Sequence, residues 1–159
     1  MIDLRKINLV FYMKKLFLIG VLGLAGCSSI SVKPVSVSAI KQAPELCVEE
    51  NPKVTVPEFN TYLTEAFLNH KIGTRFYKSG EVPSTCIYKL NYVAYRSWDI
   101  AMYLSQVKLE MFEQDKLIAE VNWKQGSGAL NKWRSTKGKV DDLVGELLGE
   151  AKTNKSATE

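Results

Sequence analysis

Two segments of the chain place apolar side chains at helical spacing. In both, apolar residues recur at i, i+3, i+4, i+7 and i+8, which aligns them on one face of a helix. The first set is Phe59, Tyr62, Leu63, Ala66 and Phe67, and the second is Val140, Leu143, Val144, Leu147 and Leu148. Pro57 suits the first helical position, because its missing N–H would have no partner there. Gly73 and Gly149 supply the two stops, so the sequence predicts two amphipathic helices.

Between these helices the apolar residues recur at every second position instead, which is the spacing of a β-strand. Apolar and polar or mixed positions alternate over residues 86–95, 106–111 and 117–124. The polar residues 113–116 are few enough to join the last two segments as a hairpin, and Trp98 with Asp99 falls at the turn between the first two. Residues 73–77 add a short strand, followed by a turn at 78–80. The pattern predicts a three-strand antiparallel meander.

These elements predict an α+β fold with a small antiparallel sheet of about four to five strands and two helices packed on one of its faces. The length allows one domain, over residues 47–150. Residues 27–46 combine small polar groups with Pro34 and Pro44, which is typical of a tether. Within it, residues 33–40 are compatible with an edge strand. We expect residues 151–159 to form a disordered tail.

The amino-terminal segment has the three parts of a secretory signal. From Met13 it carries two lysines, then an apolar stretch over residues 16–25, which is shorter than the roughly 20 residues of a membrane-spanning helix. Residues 1–12 precede Met13, which is a plausible true start. The sequence Leu24-Ala25-Gly26-Cys27 resembles the lipobox of bacterial lipoproteins. This resemblance implies a signal peptide at 1–26, a diacylglyceryl thioether on Cys27, cleavage before it and acylation of the new amino terminus. The alternative is an ordinary cleavage site beside a small residue.

Removing this signal changes the charge of the protein. The whole chain of 159 residues has a net charge of +4, but residues 1–26 contain four of the 21 cations and one of the 17 anions. The remaining 133 residues carry 17 cations and 16 anions, so the basicity is no indication of nucleic-acid binding. Acyl chains would hold the domain at a membrane. Ser28 and Ser29 follow Cys27, whereas an aspartate there favours the inner membrane in Gram-negative lipoproteins. In a Gram-negative host the resemblance thus implies the periplasmic face of the outer membrane. A Gram-positive host, or exposure on the far side of that membrane, is the alternative.

With Cys27 assigned to lipid, Cys47 and Cys86 remain as a pair. An even number of remaining cysteines in an oxidising compartment predicts a structural disulfide. It would close a loop of about 40 residues and contribute roughly 4 kcal/mol on the chain-entropy estimate. Two free thiols or a redox pair are the rival interpretations, although redox cysteines usually lie two residues apart beside a helix start.

The sequence offers no complete catalytic or metal-binding set. His70 is the single histidine and ends the first helix, where we expect it to interact with the last carbonyls. The acidic pairs Glu49-Glu50 and Asp141-Asp142 are adjacent residues, which do not face one another, and the second pair lies near the positive end of a helix dipole. We therefore expect neither an enzyme nor a cofactor or metal site.

One segment, residues 132–139, combines four cations with a tryptophan after a glycine-rich stretch. Such a loop suits stacking on a sugar ring or contact with anionic headgroups. The candidate binding residues are Lys132, Trp133, Arg134, Lys137 and Lys139. The opposing interpretation places Trp133 over the core and the lysines in solvent. The aromatic residues Tyr95, Trp98 and Tyr103 present the same choice between a partner surface and core packing.

In layout, residues 53–150 resemble small uncharacterised periplasmic and outer-membrane lipoproteins that place two helices on a short antiparallel sheet, including auxiliary lipoproteins of envelope transport systems. This resemblance assigns no binding residues. We expect a non-enzymatic, membrane-anchored accessory module that presents its sheet edge or the 132–139 loop to an envelope protein. The alternative is binding of an envelope glycan or anionic lipid through that loop.

Overall fold

A computed structural model describes residues 29–35, 37–43, 45–129 and 131–150. The predicted signal peptide, Cys27 and the predicted tail lie outside these residues. The elements in chain order are β1 Ser29–Lys33, α1 Val37–Ile40, β2 Leu46–Glu49, α2 Phe59–Asn69, β3 Thr74–Tyr77, β4 Tyr88–Asp99, β5 Ala101–Glu113, β6 Lys116–Lys124 and α3 Thr136–Leu147. Among the described helices, none has the length and apolar character needed to cross a membrane.

The predicted meander is confirmed. Strands β4, β5 and β6 are consecutive antiparallel neighbours, with Leu90 opposite Met111 and Leu109 opposite Val121. These four residues share one face of the sheet and are themselves fully buried. The alternation in sequence predicted this face correctly, because each strand of the meander is solvated on its other side. The β4–β5 hairpin is longer than the periodic segments indicated and reaches its turn at Ile100.

The sheet differs from the prediction in size and in strand direction. It has six strands in the order β1-β6-β5-β4-β2-β3, and β2 pairs in parallel with both β3 and β4. The sheet is therefore mixed, whereas four to five antiparallel strands were predicted. The four residues of β2 are too few to show a period. Helix α2 connects β2 to β3 as a crossover, which is how neighbouring parallel strands are joined.

The segment expected to be a tether is packed on the domain. An edge strand does form there, but over Ser29–Lys33 and not over residues 33–40. Ile30 pairs with Trp123 and Val32 with Val121, so this apolar alternation matches the buried face of β6. Residues 37–40 form the short helix α1 instead, and Ile40 is buried in the core.

Both predicted helices are present, and their buried residues belong to one core with the sheet. The start of α2 was predicted two residues early. Glu58 has a left-handed φ of 56°, so the helix begins only at Phe59. Gly73 is not the stop of α2, because Lys71 takes the left-handed conformation with φ 62°. Gly149, with φ 74°, does follow α3 as predicted.

The predicted disulfide is confirmed. It joins Cys47 of β2 to Cys86, two residues before β4, with their Cα atoms 5.9 Å apart. Cys47 is fully buried. The bridge therefore fastens the inserted parallel strand β2 to the strand beside which it pairs.

Candidate functional site

The segment predicted as a loop over residues 132–139 is a loop only over residues 132–135, because residues 136–139 form the first turn of α3. We keep the name 132–139 loop for the whole segment. Ser135 caps the helix, because its Oγ accepts a hydrogen bond from the Gly138 N–H at 3.2 Å. The preceding residues pass the turn of the β4–β5 hairpin. The structure thus brings this loop together with the Trp98–Asp99 turn, two features that are 33 residues or more apart in the sequence.

Two residues of the loop hold the turn. The Lys132 ammonium pairs with the Asp99 carboxylate and lies 4.5 Å from the centroid of the Trp133 ring. The Trp133 indole N–H donates to the Asp99 carbonyl oxygen at 3.2 Å. Trp133 keeps 46% of its surface exposed. This arrangement contradicts the interpretation that places Trp133 over the core and the lysines in solvent, because Trp133 is half exposed and Lys132 is paired with Asp99. Binding of a ligand by the loop stays a prediction.

The next two cations pair with acids of the helices. Arg134 pairs with Asp142, and Lys137 lies 2.9 Å from a carboxylate oxygen of Glu65 and 3.4 Å from one of Asp141. Side-chain hydrogen bonding to Asp142 raises the pKa of Arg134, and bonding to Glu65 raises that of Lys137. The two aspartates lie in the second turn of α3. Their placement follows from these ion pairs and not from the helix dipole alone.

Lys139 is buried, with 5% of its surface exposed. Its Nζ donates to the carbonyl oxygens of Lys132 at 2.6 Å and Leu104 at 3.4 Å, and lies 5.3 Å from the centroid of the Trp123 ring. Burial, aided by the nearby positive charge of Arg134, lowers the pKa of Lys139 to about 8. The four cations of the loop therefore have partners within the chain, whereas the ring of Trp133 stays half exposed.

Trp133 belongs to a larger apolar surface at the end of the β4–β5 hairpin. We call this surface the hairpin-tip patch, and it consists of Trp98, Ile100, Met102 and Trp133. Their exposed fractions are 72%, 79%, 52% and 46%. Trp98 and Met102 are directly paired across the hairpin. They lie on the same face of the sheet as Leu104. Leu104 is buried and Met102 is exposed, so the part of this face that is packed against the core ends between these two residues.

The tip of the patch is strained. Ile100 forms the turn between β4 and β5 with a φ of 62°. A left-handed conformation is a true outlier for a β-branched residue, and glycine or asparagine is usual in such turns. The most exposed apolar side chain of the patch is thus held where it costs stability, which is typical of positions kept for function.

A separate cleft lies beside the start of α2. The Tyr92 hydroxyl donates to Asn60 Oδ1 at 2.6 Å and accepts from the Asn51 backbone N–H at 3.3 Å, while its ring stacks on Phe59 at 5.5 Å. Burial raises the pKa of Tyr92. The cleft has a volume of about 600 Å³, within the range of small-molecule sites, and its walls include Glu50, Glu58, Lys78, Val54 and Val56. No motif in the sequence indicates this cleft, because its walls come from several short segments of the chain.

The other sequence candidates have structural roles. His70 ends α2 as its C-cap residue, and its Nδ1 lies 2.8 Å from Glu150 Oε1 beyond α3. Glu50 lies in the wall of the cleft beside the start of α2. Its backbone N–H donates a hydrogen bond to the Tyr77 carbonyl oxygen. Within the described residues, no three potential ligands among His, Cys, Asp and Glu converge on a metal position.

Comparisons with known proteins give a distant similarity in structure alone. No protein-family model matches the sequence, and no curated protein resembles it significantly. Two structures of the PelC dodecamer from Paraburkholderia phytofirmans, the first of a single-residue variant, are similar to this chain with TM-scores of 0.48 and 0.46. Their sequences are 11% and 12% identical to it, and each match covers 77% of this chain and 96% of the other. At these scores the similarity carries no argument about ligands, partners or assembly.

Proposed function

We propose that this protein is a non-enzymatic lipoprotein of the bacterial cell envelope that binds a protein partner at the periplasmic face of the outer membrane. The observation that carries the proposal is the position of Cys27, which lies two residues before β1. Acylation there would attach the folded domain to the membrane almost without a tether. The Cys47–Cys86 disulfide accords with an oxidising compartment.

The outer edge of β1 is the surface proposed for the partner. Within the described part of the chain, no strand pairs with this edge. All five residues of β1 are exposed, and Ile30 and Val32 add apolar side chains beside the unpaired backbone. An extended segment of another protein could add to such an edge through backbone hydrogen bonds. We propose this mode of binding.

Attachment is tested by fractionation of the native host. Cys27→Ala should abolish acylation and leave an unprocessed or released chain, whereas Ser28→Thr should remain in the outer membrane. Ser28→Asp should shift the protein toward the inner membrane, as the lipoprotein resemblance implies. Intact mass measurement of the purified chain reports the acyl groups directly. A Cys27→Ala variant with unchanged processing and membrane attachment would refute the lipoprotein proposal.

Partner binding is tested by photocrosslinking in living cells. A photoreactive amino acid at Val32 should capture a defined envelope protein, whereas the same group at Leu68, an exposed apolar position on α2, should not. Equal capture at both positions would contradict binding at the β1 edge. Recovery of envelope glycan without any protein would contradict the protein-binding proposal.

The exposed ring of Trp133 favours a second candidate function, which is binding of an envelope glycan or an anionic lipid headgroup through the 132–139 loop. The cations of this loop are paired within the chain, so a ligand would depend mainly on stacking against Trp133. Titration with soluble envelope glycan fragments should then show binding that Trp133→Ala removes. Binding that survives this substitution would exclude the loop as the glycan site.

A further inference from the structure

The pairing of three strands places the amino terminus of β1 and the hairpin turn at the same end of the sheet. Ser29 pairs with Lys124 at the end of β6, and Lys124 pairs on its other side with Gln106 of β5. Between Gln106 and the turn, residues 101–105 of β5 pair with β4 but have no partner in β6. This free length of the hairpin extends roughly 15 Å beyond the level of Ser29, at about 3.3 Å per residue with one bulge.

The chain between Cys27 and β1 is short. Two residues of fully extended chain span at most about 7 Å, which limits the distance from Cys27 to Ser29. An acylated Cys27 would therefore hold this end of the sheet against the bilayer. The hairpin extends farther than the chain from Cys27 can reach. Its exposed end would meet the lipid before the rest of the domain does.

The side chains at this end are suited to a bilayer interface. The hairpin-tip patch carries two tryptophans, an isoleucine and a methionine, and tryptophan is enriched at the level of the headgroups. Exposed Arg96 lies on β4 two residues before Trp98, and among the described residues it belongs to no ion pair. A cation in this position would face anionic headgroups while the apolar tip enters the acyl region. Protein partners could also use an apolar patch, but the anchor gives lipid the higher local concentration.

The geometry points to the hairpin-tip patch as a second, non-covalent membrane contact that inserts into the bilayer leaflet holding the acyl chains of Cys27. This inference rests on the proposed lipoprotein. It explains why a β-branched residue, Ile100, is kept at a left-handed turn position with most of its side chain in solvent. It also fixes the orientation of the domain, because two points of contact prevent rotation about the anchor.

Quenching of tryptophan fluorescence by brominated lipids tests this contact. The full acylated chain is reconstituted into vesicles of phosphatidylethanolamine and phosphatidylglycerol with brominated acyl chains. A Trp133→Phe background leaves Trp98 and the buried Trp123, and the Trp98→Phe/Trp133→Phe double variant gives the Trp123 emission to be subtracted. We expect loss of most of the Trp98 emission in brominated vesicles and protection of Trp98 from aqueous iodide.

The hairpin offers a matched control pair of isoleucines at its opposite ends. Ile100 lies at the turn, and Ile87, which is 44% exposed, lies just before β4. Ile100→Asp should reduce the quenching of Trp98 by brominated lipid, because a carboxylate resists insertion, whereas Ile87→Asp should leave it unchanged.

The outcomes separate this inference from the proposed function on which it rests. An acylated chain that floats with the vesicles while iodide quenches Trp98 and brominated lipid does not would overturn the membrane contact and leave the lipoprotein intact. Equal effects of Ile100→Asp and Ile87→Asp would also overturn it. A chain whose mass shows no acyl groups would overturn the proposed function, and the inference with it.

Discussion

The ammonium group of Lys139 lies over the ring of Trp123, 5.3 Å from its centroid, and its two hydrogen-bond acceptors are backbone carbonyls. Among the described residues no carboxylate pairs with this buried cation, and it is stabilised by the aromatic face and by carbonyl dipoles. Burial disfavours its charged form, which lowers the pKa to about 8 from the ordinary value of 10.5. The lowered pKa of Lys139 should therefore make the free energy of unfolding depend on pH.

We predict that Lys139 makes the stability of the protein rise with pH. Between pH 8 and 10.5 the unfolded chain holds this proton and the folded chain releases it, so the free energy of unfolding increases across that window. The contribution reaches at most about 3 kcal/mol. Urea denaturation of the wild type and of Lys139→Met at a series of pH values measures it. The difference between the two proteins should change across the window, and a constant difference would contradict the lowered pKa.

Replacing Ile100 should stabilise the fold. The left-handed conformation costs an ordinary residue about 1–2 kcal/mol, and asparagine tolerates it better than a β-branched residue does. Ile100→Asn should raise the free energy of unfolding by about 1 kcal/mol. Ile87→Asn is the matched control, since Ile87 is also exposed but is not among the positions with positive φ. An equal gain in both variants would show that removal of exposed apolar surface, and not backbone strain, is responsible.

Trp123 and Trp133 should differ in their contribution to stability. Trp123 is buried in the core, whereas Trp133 is half exposed and makes one hydrogen bond to the Asp99 carbonyl. Trp123→Ala should cost about 3–5 kcal/mol and Trp133→Ala about 1 kcal/mol. Chemical denaturation of both variants measures the difference. A cost for Trp133→Ala near that of Trp123→Ala would show that the hairpin-tip patch supports the core.

The disulfide should contribute most of its stability through the unfolded chain. Cys47 and Cys86 are 39 positions apart, and closing such a loop contributes roughly 4 kcal/mol on the chain-entropy estimate. We expect Cys47→Ala/Cys86→Ala to lower the free energy of unfolding by up to this amount, as measured in urea without reductant. In the wild type, both thiols should resist alkylation until reductant is added. Alkylation of either cysteine in the purified, unreduced protein would contradict the bridge.

The sequence patterns predicted those parts of the fold that depend on residues close to one another in the chain. The meander of β4, β5 and β6 follows from a period of two and short connections, and both main helices follow from their apolar faces. The pairing of Cys47 with Cys86 followed from counting cysteines after Cys27 was assigned. Each of these inferences needs only neighbouring residues or the composition of the chain.

The candidate site was only partly accessible to such reasoning. Lys132, Trp133 and Trp98 were recognised as unusual from the sequence, but their common location was not, because 30 or more residues separate the hairpin turn from the loop. Lys139 looked like one more surface cation. Its burial depends on the carbonyls of Lys132 and Leu104, which the fold brings to it from two directions.

The sequence by itself therefore determined the two main helices, the meander and the disulfide. Only the tertiary structure decided that β2 enters between β3 and β4, that β1 closes the other edge, and that the hairpin turn lies at the end of the sheet where β1 begins. The physical reason is that periodicity reports which face of an element is buried. Which edges meet is decided by pairing between distant segments, and that is settled only when the whole chain packs around one core.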